Sequence, residues 1–467
     1  MLIQLTIENF LSFRDEVTFS MVGVSSDRQH ADRLIEDAAG KGRPVLPIAA
    51  IYGANASGKS NLIEALSFAK ELILEGTRSN RTIPVSTFKL GDYSKKPSKF
   101  EFIFTHQDAR YSYGFKLNRE QILEEWLHVI PPGKKKEVMY FERSASSGKK
   151  TTVDYGLPLT GKSQRRKQFL EFIAEGTRSN QLLLTEAIDR NVEALFPVAN
   201  WFRKTLVVIS AEATCISLGI QVLVDNSFTD FLRQFLVLAG TGIDGIEAEE
   251  VELDFDRYFP NMSKTEREDF LQEFSEIDKE AALMDNDDGK QYLIYKNEIS
   301  EIKLIRLITQ HRHANGELTG FSIEEESEGT QRLIHLIPAL FMLKEESEKV
   351  IFIDELDRRL HPLLSRLFVK TVIECIDRDN QLIFTTHDTN LLDLELLRRD
   401  EIWFVEKDRH GSSSLYSLAE FKTRPDLKIE KGYLNGRFGA IPFFGNPESL
   451  GWHDDRDRDA AMEKIEH

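Results

Sequence analysis

The pattern of apolar and polar residues changes twice in the first part of the chain. Apolar and polar residues alternate over residues 2–19, which predicts a β-hairpin or meander with one buried face. Residues 45–52 form a continuous apolar run before Gly53, which is typical of a strand buried on both faces of a mostly parallel sheet. From Lys59 onwards apolar residues recur at helical spacing. The pattern therefore predicts a strand, a glycine-rich loop and a helix in succession.

Further along the chain the pattern changes three more times. Four short segments between residues 88 and 141 are rich in aromatic and β-branched residues and predict an antiparallel sheet. Residues 160–285 have helical patterns, including one long charged helix over residues 264–284. From residue 318 strand and helix patterns alternate again.

These patterns predict an α/β fold with a mixed sheet, an antiparallel β subdomain and a mid-chain helical insertion. The α/β domain, called the head below, is then discontinuous in sequence, because its two parts flank the insertion. We assign its N-terminal part to residues 1–158, the mainly helical insertion to residues 159–290, and its C-terminal part to residues 291–467.

Composition limits the class of protein. A chain of 467 residues with 41% apolar residues has enough material for more than one core. It contains no run approaching the roughly 18 apolar residues that a membrane span needs, and its N-terminus lacks the features of a signal peptide, so we expect a cytoplasmic protein without membrane contact. The two cysteines, Cys215 and Cys375, are far apart and are predicted to be buried thiols rather than a disulfide or metal site.

Charge bears on contact with nucleic acid. A formal net charge of −17 argues against a protein that coats DNA non-specifically. Local contact with DNA stays open, because basic runs occur at residues 134–136, 149–150 and 165–167. Solvated loops and helix faces are the alternative reading of these runs.

The glycine-rich loop carries the first chemical motif. Two glycines with four residues between them are followed by Lys and Ser, between a predicted strand and a predicted helix, which is the pattern of a phosphate-binding loop. Its backbone N–H groups and the helix start suit ATP phosphates, its lysine would neutralise the β and γ phosphates, and its serine hydroxyl would bind Mg²⁺. The predicted nucleotide-binding residues are Gly53, Ala54, Asn55, Ala56, Ser57, Gly58, Lys59, Ser60 and Asn61.

A pair of carboxylates supplies the second motif. Residues 350–353 are an apolar strand that leads into Asp354 and Glu355. Ligands of α/β sheets bind at the carboxyl ends of the strands, so both acids are expected at the site. Asp354 would hold Mg²⁺ together with Ser60, and Glu355 would orient or deprotonate the attacking water.

Three smaller motifs lie before and after the paired acids in the sequence. Ser327 and Gly329 lie at the start of a predicted helix, whose N-terminus suits a phosphate presented by another subunit. Asp357 lies just after the paired acids, and His387 lies just after the predicted strand 381–385. A helix cap and a buried structural histidine are the alternative readings of these residues.

Together these motifs resemble those of the SMC-related ABC-type ATPases. Within this group the sequence looks like the prokaryotic branch that includes the OLD and RloA/AriA-like ATPases of antiphage and abortive-infection systems. The resemblance rests on Ile7-Glu-Asn-Phe-Leu-Ser-Phe13, the phosphate loop, Ser327-Glu-Gly-Thr-Gln331, Asp354-Glu-Leu-Asp357, Leu360-His-Pro362, Thr386-His387-Asp388 and residues 432–439. These motifs span nearly the whole chain, whereas residues 159–290 match only loosely.

The resemblance implies an ABC-type P-loop NTPase head that uses ATP and Mg²⁺. It implies that Ser327 and Gly329 form the signature motif, that Asp357 belongs to the D-loop, and that Lys59, Glu355 and His387 are catalytic, with His387 sensing the γ-phosphate. Two chains would then enclose two ATP molecules in a homodimer or higher homo-oligomer. A companion effector protein, a nuclease or toxin, would be its partner in antiphage defence.

Some features depart from this resemblance, and other functions compete with it. SMC-like heads often have a basic residue at the position of Leu11, and here Arg14 follows instead. The long heptad arms of SMC proteins are absent. An SMC-like DNA-repair or DNA-loading ATPase is the main alternative. A nuclease with an appended Toprim domain and the ATPase subunit of a membrane transporter fit the sequence less well.

Overall fold

The computed structural model describes residues 1–36, 43–145, 151–276, 281–285, 291–296, 301–377, 379–422 and 428–442. The basic pair at residues 149–150 lies outside these residues.

The described strands are β1 (Leu2–Glu8), β2 (Val17–Ser20), β3 (Ile48–Tyr52), β4 (Ser98–His106), β5 (Ala109–Leu117), β6 (Ile122–Ile130), β7 (Val138–Ser144), β8 (Thr152–Tyr155), β9 (Leu206–Ile209), β10 (Ile243–Glu252), β11 (Ala281–Asp285), β12 (Gln291–Lys296), β13 (Ile302–Arg312), β14 (Leu318–Ser322), β15 (Val350–Ile353), β16 (Gln381–Thr385), β17 (Ile402–Lys407) and β18 (Ser413–Ser417). The described α-helices are α1 (Lys59–Glu75), α2 (Leu157–Thr160), α3 (Gln164–Gly176), α4 (Leu183–Asp189), α5 (Phe196–Asn200), α6 (Leu218–Val224), α7 (Asn226–Leu238), α8 (Phe255–Tyr258), α9 (Lys264–Glu276), α10 (Glu328–Glu345), α11 (Pro362–Cys375) and α12 (Ile429–Leu434).

A central sheet of six strands has the order β18-β17-β3-β16-β15-β9. Its neighbouring strands are parallel except for β17 and β18, which are antiparallel. Every residue of β3, β15 and β16 is buried, because the two faces of the sheet cover two different cores. In β3, for example, Ile51 faces the core under the antiparallel sheet, whereas Tyr52 faces the core under α10 and α11. This sheet, with the β3–loop–α1 unit, gives the α/β fold of a P-loop NTPase that the sequence predicts.

The N-terminal antiparallel subdomain is also as predicted. Its sheet has seven strands in the order β2-β1-β4-β5-β6-β7-β8. Aromatic side chains fill the space between this sheet and its neighbours, since Phe104 stacks on Trp201 with ring centroids 4.1 Å apart and Phe10 meets Phe100 edge-on at 5.3 Å. The motif around Phe10 therefore joins the antiparallel sheet to α1, where Phe68 lies 5.4 Å away.

Residues 159–290 contain the described helices α3 to α9, but also strands. Strand β9 pairs in parallel with β15 of the central sheet, so this segment does not leave the head as a separate helical unit. Strand β10 pairs with β13, and a third sheet has the order β10-β13-β12-β11 with β14 on β13. The single helix predicted over residues 264–284 is wrong, since α9 ends at Glu276 and residues 281–285 pair with β12. Pairing with the next strand along the chain has outweighed the local helical pattern.

The cysteine prediction needs correction as well. Cys375 is exposed because it lies at the C-terminal end of α11, and Cys215 is only half-buried in the loop before α6. Among the described residues, no helix combines the length and the apolar composition that crossing a bilayer demands.

Candidate functional site

The carboxyl ends of three neighbouring strands bring the two main motifs together. Strand β16 lies between β3 and β15, with Thr385 opposite Ile51 and Phe384 opposite Ile353. The N–H of Thr386 continues this ladder and donates to Ile51 O at 3.0 Å. The phosphate loop, the paired acids and His387 each follow one of these strands, so they lie at one edge of the sheet.

The phosphate loop has little room for side chains at its two glycines. A Cβ on Gly53 would lie 2.4 Å from Val405 O, and a Cβ on Gly58 would lie 2.5 Å from Ser413 Oγ. Gly58 also has a φ of 116°, a conformation that side-chain-bearing residues rarely adopt. Asn55, Ala56 and Ser60 of the same loop are exposed. The chain thus keeps a tight loop whose outer side is open to a ligand.

Lys59 is buried at the start of α1. Only 5% of it is exposed, and its Nζ donates to the carbonyl oxygens of Gly53 at 2.9 Å and Ala54 at 3.2 Å. Burial lowers the pKa of Lys59 to about 8, against the attraction of Glu355, Asp354 and Asp357. The charge of Lys59 in the phosphate loop therefore interacts with the acids of the second motif, although these acids lie about 300 positions further along the chain.

A network of polar side chains supports the loop from behind. Asn61 Nδ2 donates to Ser12 Oγ at 2.7 Å, and Ser413 Oγ lies within hydrogen-bond distance of the same oxygen at 2.7 Å. Ser413 Oγ also donates to the carbonyl of Ser57, and Ser413 N donates to Ser12 O at 2.8 Å. The motif at residues 7–13 therefore buttresses the phosphate loop through Ser12. Asn61 was among the residues predicted from the sequence but Ser413 was not, because a serine in a run of three serines at the start of β18 carries no local signal.

Asp354 and Glu355 are held by a residue that the sequence reasoning left out. Thr385 Oγ1 donates to Asp354 Oδ1 at 2.6 Å and accepts the Glu355 N–H at 2.7 Å. Asp354 is 6% exposed, and its own N–H donates to Ile209 O at 2.8 Å. Glu355 has a φ of 47°, so the chain turns sharply after the buried acid. A polar residue at the end of the apolar strand β16 was a signal that could have identified Thr385.

Asp357 and His387 contact each other within one chain. The carboxylate of Asp357 accepts the backbone N–H of His387 at 3.2 and 3.3 Å. Partial burial and then the positive charge of Lys59 lower the pKa of His387, while the charges of Asp357, Glu355 and Asp354 act in the opposite direction. His387 thus shares the electrostatic environment of the phosphate loop and the acids.

Ser327 and Gly329 lie at the start of α10. Ser327 caps α10 by accepting the Thr330 N–H at 3.1 Å. Gly329 packs on the turn that follows the paired acids, because a Cβ there would lie 2.7 Å from Arg359 O. Within the described part of the chain, no hydrogen bond or ion pair joins either residue to the phosphate loop of the same chain.

Arg14, which follows the position where a basic residue was expected, has other partners. Its guanidinium donates to Asp15 Oδ2 at 2.7 and 2.9 Å and lies 3.9 Å from Asp408. The Asp15 carboxylate raises the pKa of Arg14. In this conformation Arg14 is a surface residue of the antiparallel subdomain.

The residues present fit a magnesium nucleotide. Gly53 and Gly58 let the loop pack closely against Val405 and Ser413, while its outer side stays open to a ligand. Among the described residues, the buried Lys59 ammonium has only neutral carbonyl oxygens as hydrogen-bond acceptors, and the buried Ser57 Oγ has no hydrogen-bond partner. An anion in the cradle would satisfy these donors, and carboxylate and hydroxyl oxygens are the ligands that Mg²⁺ prefers.

Comparison with known proteins places the chain in a family. The chain is similar to the SMC head domain from Thermotoga maritima, with 13% identity, a TM-score of 0.36, and coverage of 89% of this chain and 98% of that chain. It is also similar to an Smc head domain with an extended coiled coil bound to the C-terminal domain of ScpA, derived from Pyrococcus furiosus, with 12% identity, a TM-score of 0.34, and coverage of 93% and 98%. No curated protein matches the sequence. Residues 48–393 match the family described as "AAA domain, putative AbiEii toxin, Type IV TA system", and since the match spans well over half of the chain, the chain belongs to this family.

Proposed function

We propose that the chain binds ATP with Mg²⁺ and hydrolyses it to ADP and phosphate. The observation that carries this proposal is the convergence of Lys59, Asp354, Glu355 and His387 at the carboxyl ends of three adjacent strands, next to the glycine cradle. Membership of an AAA-domain family supports a nucleotide-dependent ATPase.

Each residue has one role in the proposed reaction. The loop from Gly53 to Asn61 binds the phosphates through its N–H groups, and Lys59 neutralises the charge of the β and γ phosphates. Ser60 and Asp354 hold Mg²⁺, which supplies further stabilisation of charge on the phosphates when bound. Glu355 orients the attacking water and accepts its proton, and His387 contacts the γ-phosphate.

The proposal includes a homodimer or higher homo-oligomer. Ser327 and Gly329 are not bonded to the phosphate loop of their own chain, while the exposed start of α10 offers N–H groups to an anion. We therefore assign them to the ATP of a second subunit, with Asp357 at the same interface. ATP binding then closes the assembly, and hydrolysis opens it.

The biological role that we propose is control of a companion effector, a nuclease or toxin, in antiphage defence in the cytoplasm. The family description names a "putative AbiEii toxin" and a "Type IV TA system", which supports a role connected with a toxin. The OLD and RloA/AriA-like branch is the part of the SMC-related ATPases that we propose for the chain. Contact with DNA is left to experiment.

The ATPase proposal is tested with purified wild type and three variants. We expect steady release of phosphate from wild type with Mg²⁺, and a loss of at least about a hundredfold in kcat for Lys59→Ala and Glu355→Gln. Glu374→Gln on α11, where the side chain is 61% exposed, is the matched control and keeps wild-type turnover. Unchanged hydrolysis in Glu355→Gln would contradict the assignment of its role.

The oligomeric and biological parts need separate measurements. Light scattering of Glu355→Gln with ATP and Mg²⁺ is expected to give a particle of at least twice the chain mass, and a monomer under these conditions contradicts the shared site. For the effector, the gene is expressed with its neighbouring genes and challenged with phage. Protection should be lost in Lys59→Ala, and protection that persists in this variant contradicts control by ATP.

A further inference from the structure

Arg358 lies between two carboxylates, one of which belongs to Glu355. Its Nη1 is 3.1 Å from Glu355 Oε2, and its Nη2 forms an ion pair with Glu212 Oε1. Its backbone N–H also donates to Glu355 O at 3.0 Å in the tight turn after the paired acids. The guanidinium thus connects Glu355 to the loop that follows β9.

The backbone of Glu355 is fixed, but its side chain has few other restraints. Its φ of 47° and the hydrogen bond from its N–H to Thr385 Oγ1 determine where the side chain starts. The Glu355 side chain is 30% exposed, and within the described ranges Arg358 Nη1 is the donor that bonds to its carboxylate. Because that contact uses Oε2, Oε1 stays available for another donor. A glutamate without such a contact would lose more rotamer freedom when it orients a water molecule.

Glu212 is itself on a tethered loop. Ala213 N donates to Ser210 O at 3.0 Å, and Cys215 N donates to His335 Nδ1 of α10 at 3.2 Å. Glu212 and Arg358 line one cavity of about 300 Å³ with residues from the first turns of α10. The loop that carries Glu212 is therefore held against the first turns of α10.

We propose that Arg358, held by Glu212, is a positioning residue that sets the orientation of the Glu355 carboxylate for catalysis. The planar guanidinium suits this task because its separate N–H groups reach two carboxylates in a fixed geometry. This inference rests on the proposed role of Glu355 as the residue that orients the attacking water.

Steady-state hydrolysis of ATP tests the proposal. We expect Arg358→Gln to lower kcat about tenfold with KM for ATP within about twofold of wild type, because orientation rather than nucleotide binding is lost. Arg358→Lys keeps a charge without the fork and recovers part of the loss, and Glu212→Gln lowers kcat by about threefold. The matched control is Arg190→Gln, which removes a comparable Arg–Glu ion pair on α4 and leaves kcat unchanged.

A double variant separates positioning from general damage. If Arg358 acts through Glu355, Arg358→Gln adds no further loss to the residual single-turnover rate of Glu355→Gln. A further loss in that background, or a kcat that is unchanged or raised in the single variant, overturns the inference. If instead wild type does not hydrolyse ATP, or Glu355→Gln keeps wild-type turnover, the proposed function itself fails, so the two failures are distinguishable.

Discussion

Thr385 fixes Asp354 through a buried hydrogen bond of 2.6 Å from its hydroxyl to Oδ1. The same oxygen of Thr385 accepts the N–H of Glu355 at 2.7 Å, so one hydroxyl holds the carboxylate of the first acid and the backbone of the second. Both Thr385 and its neighbour Thr386 are fully buried. The end of β16 therefore orients the acids at the end of β15.

Replacing Thr385 by Val tests this arrangement without a change of side-chain shape. Loss of the hydroxyl leaves one Asp354 oxygen and the Glu355 N–H without a partner, which costs about 1–3 kcal/mol of folding free energy. We expect the Mg²⁺ concentration for half-maximal ATPase activity to rise at least about tenfold, because Asp354 is the proposed Mg²⁺ ligand. Titration of activity with Mg²⁺ and urea unfolding measure the two effects.

Thr371→Val is the control for that variant. Its hydroxyl donates to Leu367 O at 2.9 Å within α11 and touches no site residue, so the Mg²⁺ dependence should stay as in wild type. An unchanged Mg²⁺ dependence in Thr385→Val would show that its hydroxyl does not act on the metal site.

Alanine substitutions at two glycines with positive φ separate the cost of backbone strain from the cost of steric overlap at the new Cβ. Gly58 has a φ of 116° and a Cβ there would lie 2.5 Å from Ser413 Oγ and 2.6 Å from Ser12 Oγ, whereas Gly133 has a φ of 66° and open space around it. We expect Gly133→Ala to cost about 1 kcal/mol of stability and to leave ATP affinity intact. Gly58→Ala should cost about 1–3 kcal/mol and weaken ATP binding at least about tenfold.

Isothermal titration of each alanine variant with ATP and Mg²⁺ measures the affinities. The prediction fails if Gly58→Ala binds ATP as tightly as Gly133→Ala does. Such a result would mean that the serines behind the loop can move without changing the phosphate cradle.

The sequence was sufficient for those parts of the site that depend on local pattern. The strand, glycine loop and helix around Lys59, and the apolar strand before Asp354, are short segments whose residue types determine their conformation. The parallel order of the strands then follows from α/β architecture, so the two motifs could be expected to meet.

The parts that could not be predicted depend on contacts between distant residues. Ser12 and Ser413 are 401 positions apart, and neither has a neighbour in sequence that marks it as a support of the phosphate loop. The contact between Arg358 and Glu212 likewise requires β9 to lie beside β15, which no local pattern indicates.

The buried ammonium of Lys59 should make ATP affinity depend on pH. Burial lowers the pKa of Lys59 to about 8, so the free protein loses this positive charge as the pH rises through about 8. Because the protonated form attracts phosphate, we expect the Kd for ATP to be nearly constant below about pH 7 and to rise by up to about tenfold per pH unit above about pH 8. Fluorescence titration with a labelled ATP analogue measures Kd across this range.

Two variants control the pH experiment. Lys59→Gln cannot lose a proton, so its weaker affinity should not change between about pH 7 and pH 9. Lys370→Gln removes a lysine that is 62% exposed on α11 and should keep the wild-type dependence. A wild-type dependence on pH in Lys59→Gln would assign the effect to another group.

Glu401 should make folding stability fall as the pH rises towards neutrality. Burial raises the pKa of Glu401 from 4.5 to about 7, although the nearby Arg33 charge acts in the opposite direction. One carboxylate oxygen accepts the Arg398 N–H at 2.7 Å, and the other is buried without a hydrogen-bond partner in the part of the chain that the structure describes. Between these two pKa values the folded protein binds more protons than the unfolded chain, so each rise in pH favours unfolding until the folded-state carboxyl has ionised.

Glu401→Gln removes that ionisation while keeping an oxygen for the Arg398 N–H. We expect the variant to be no more stable than wild type near pH 4.5 and to gain on it as the pH rises to about 8, by up to about 3 kcal/mol. Urea unfolding of both proteins at several pH values measures the difference, in which the titration of all other groups cancels. The exposed Glu374→Gln should show a constant difference from wild type, and a constant difference for Glu401→Gln would mean that this buried carboxyl does not change its charge in the range.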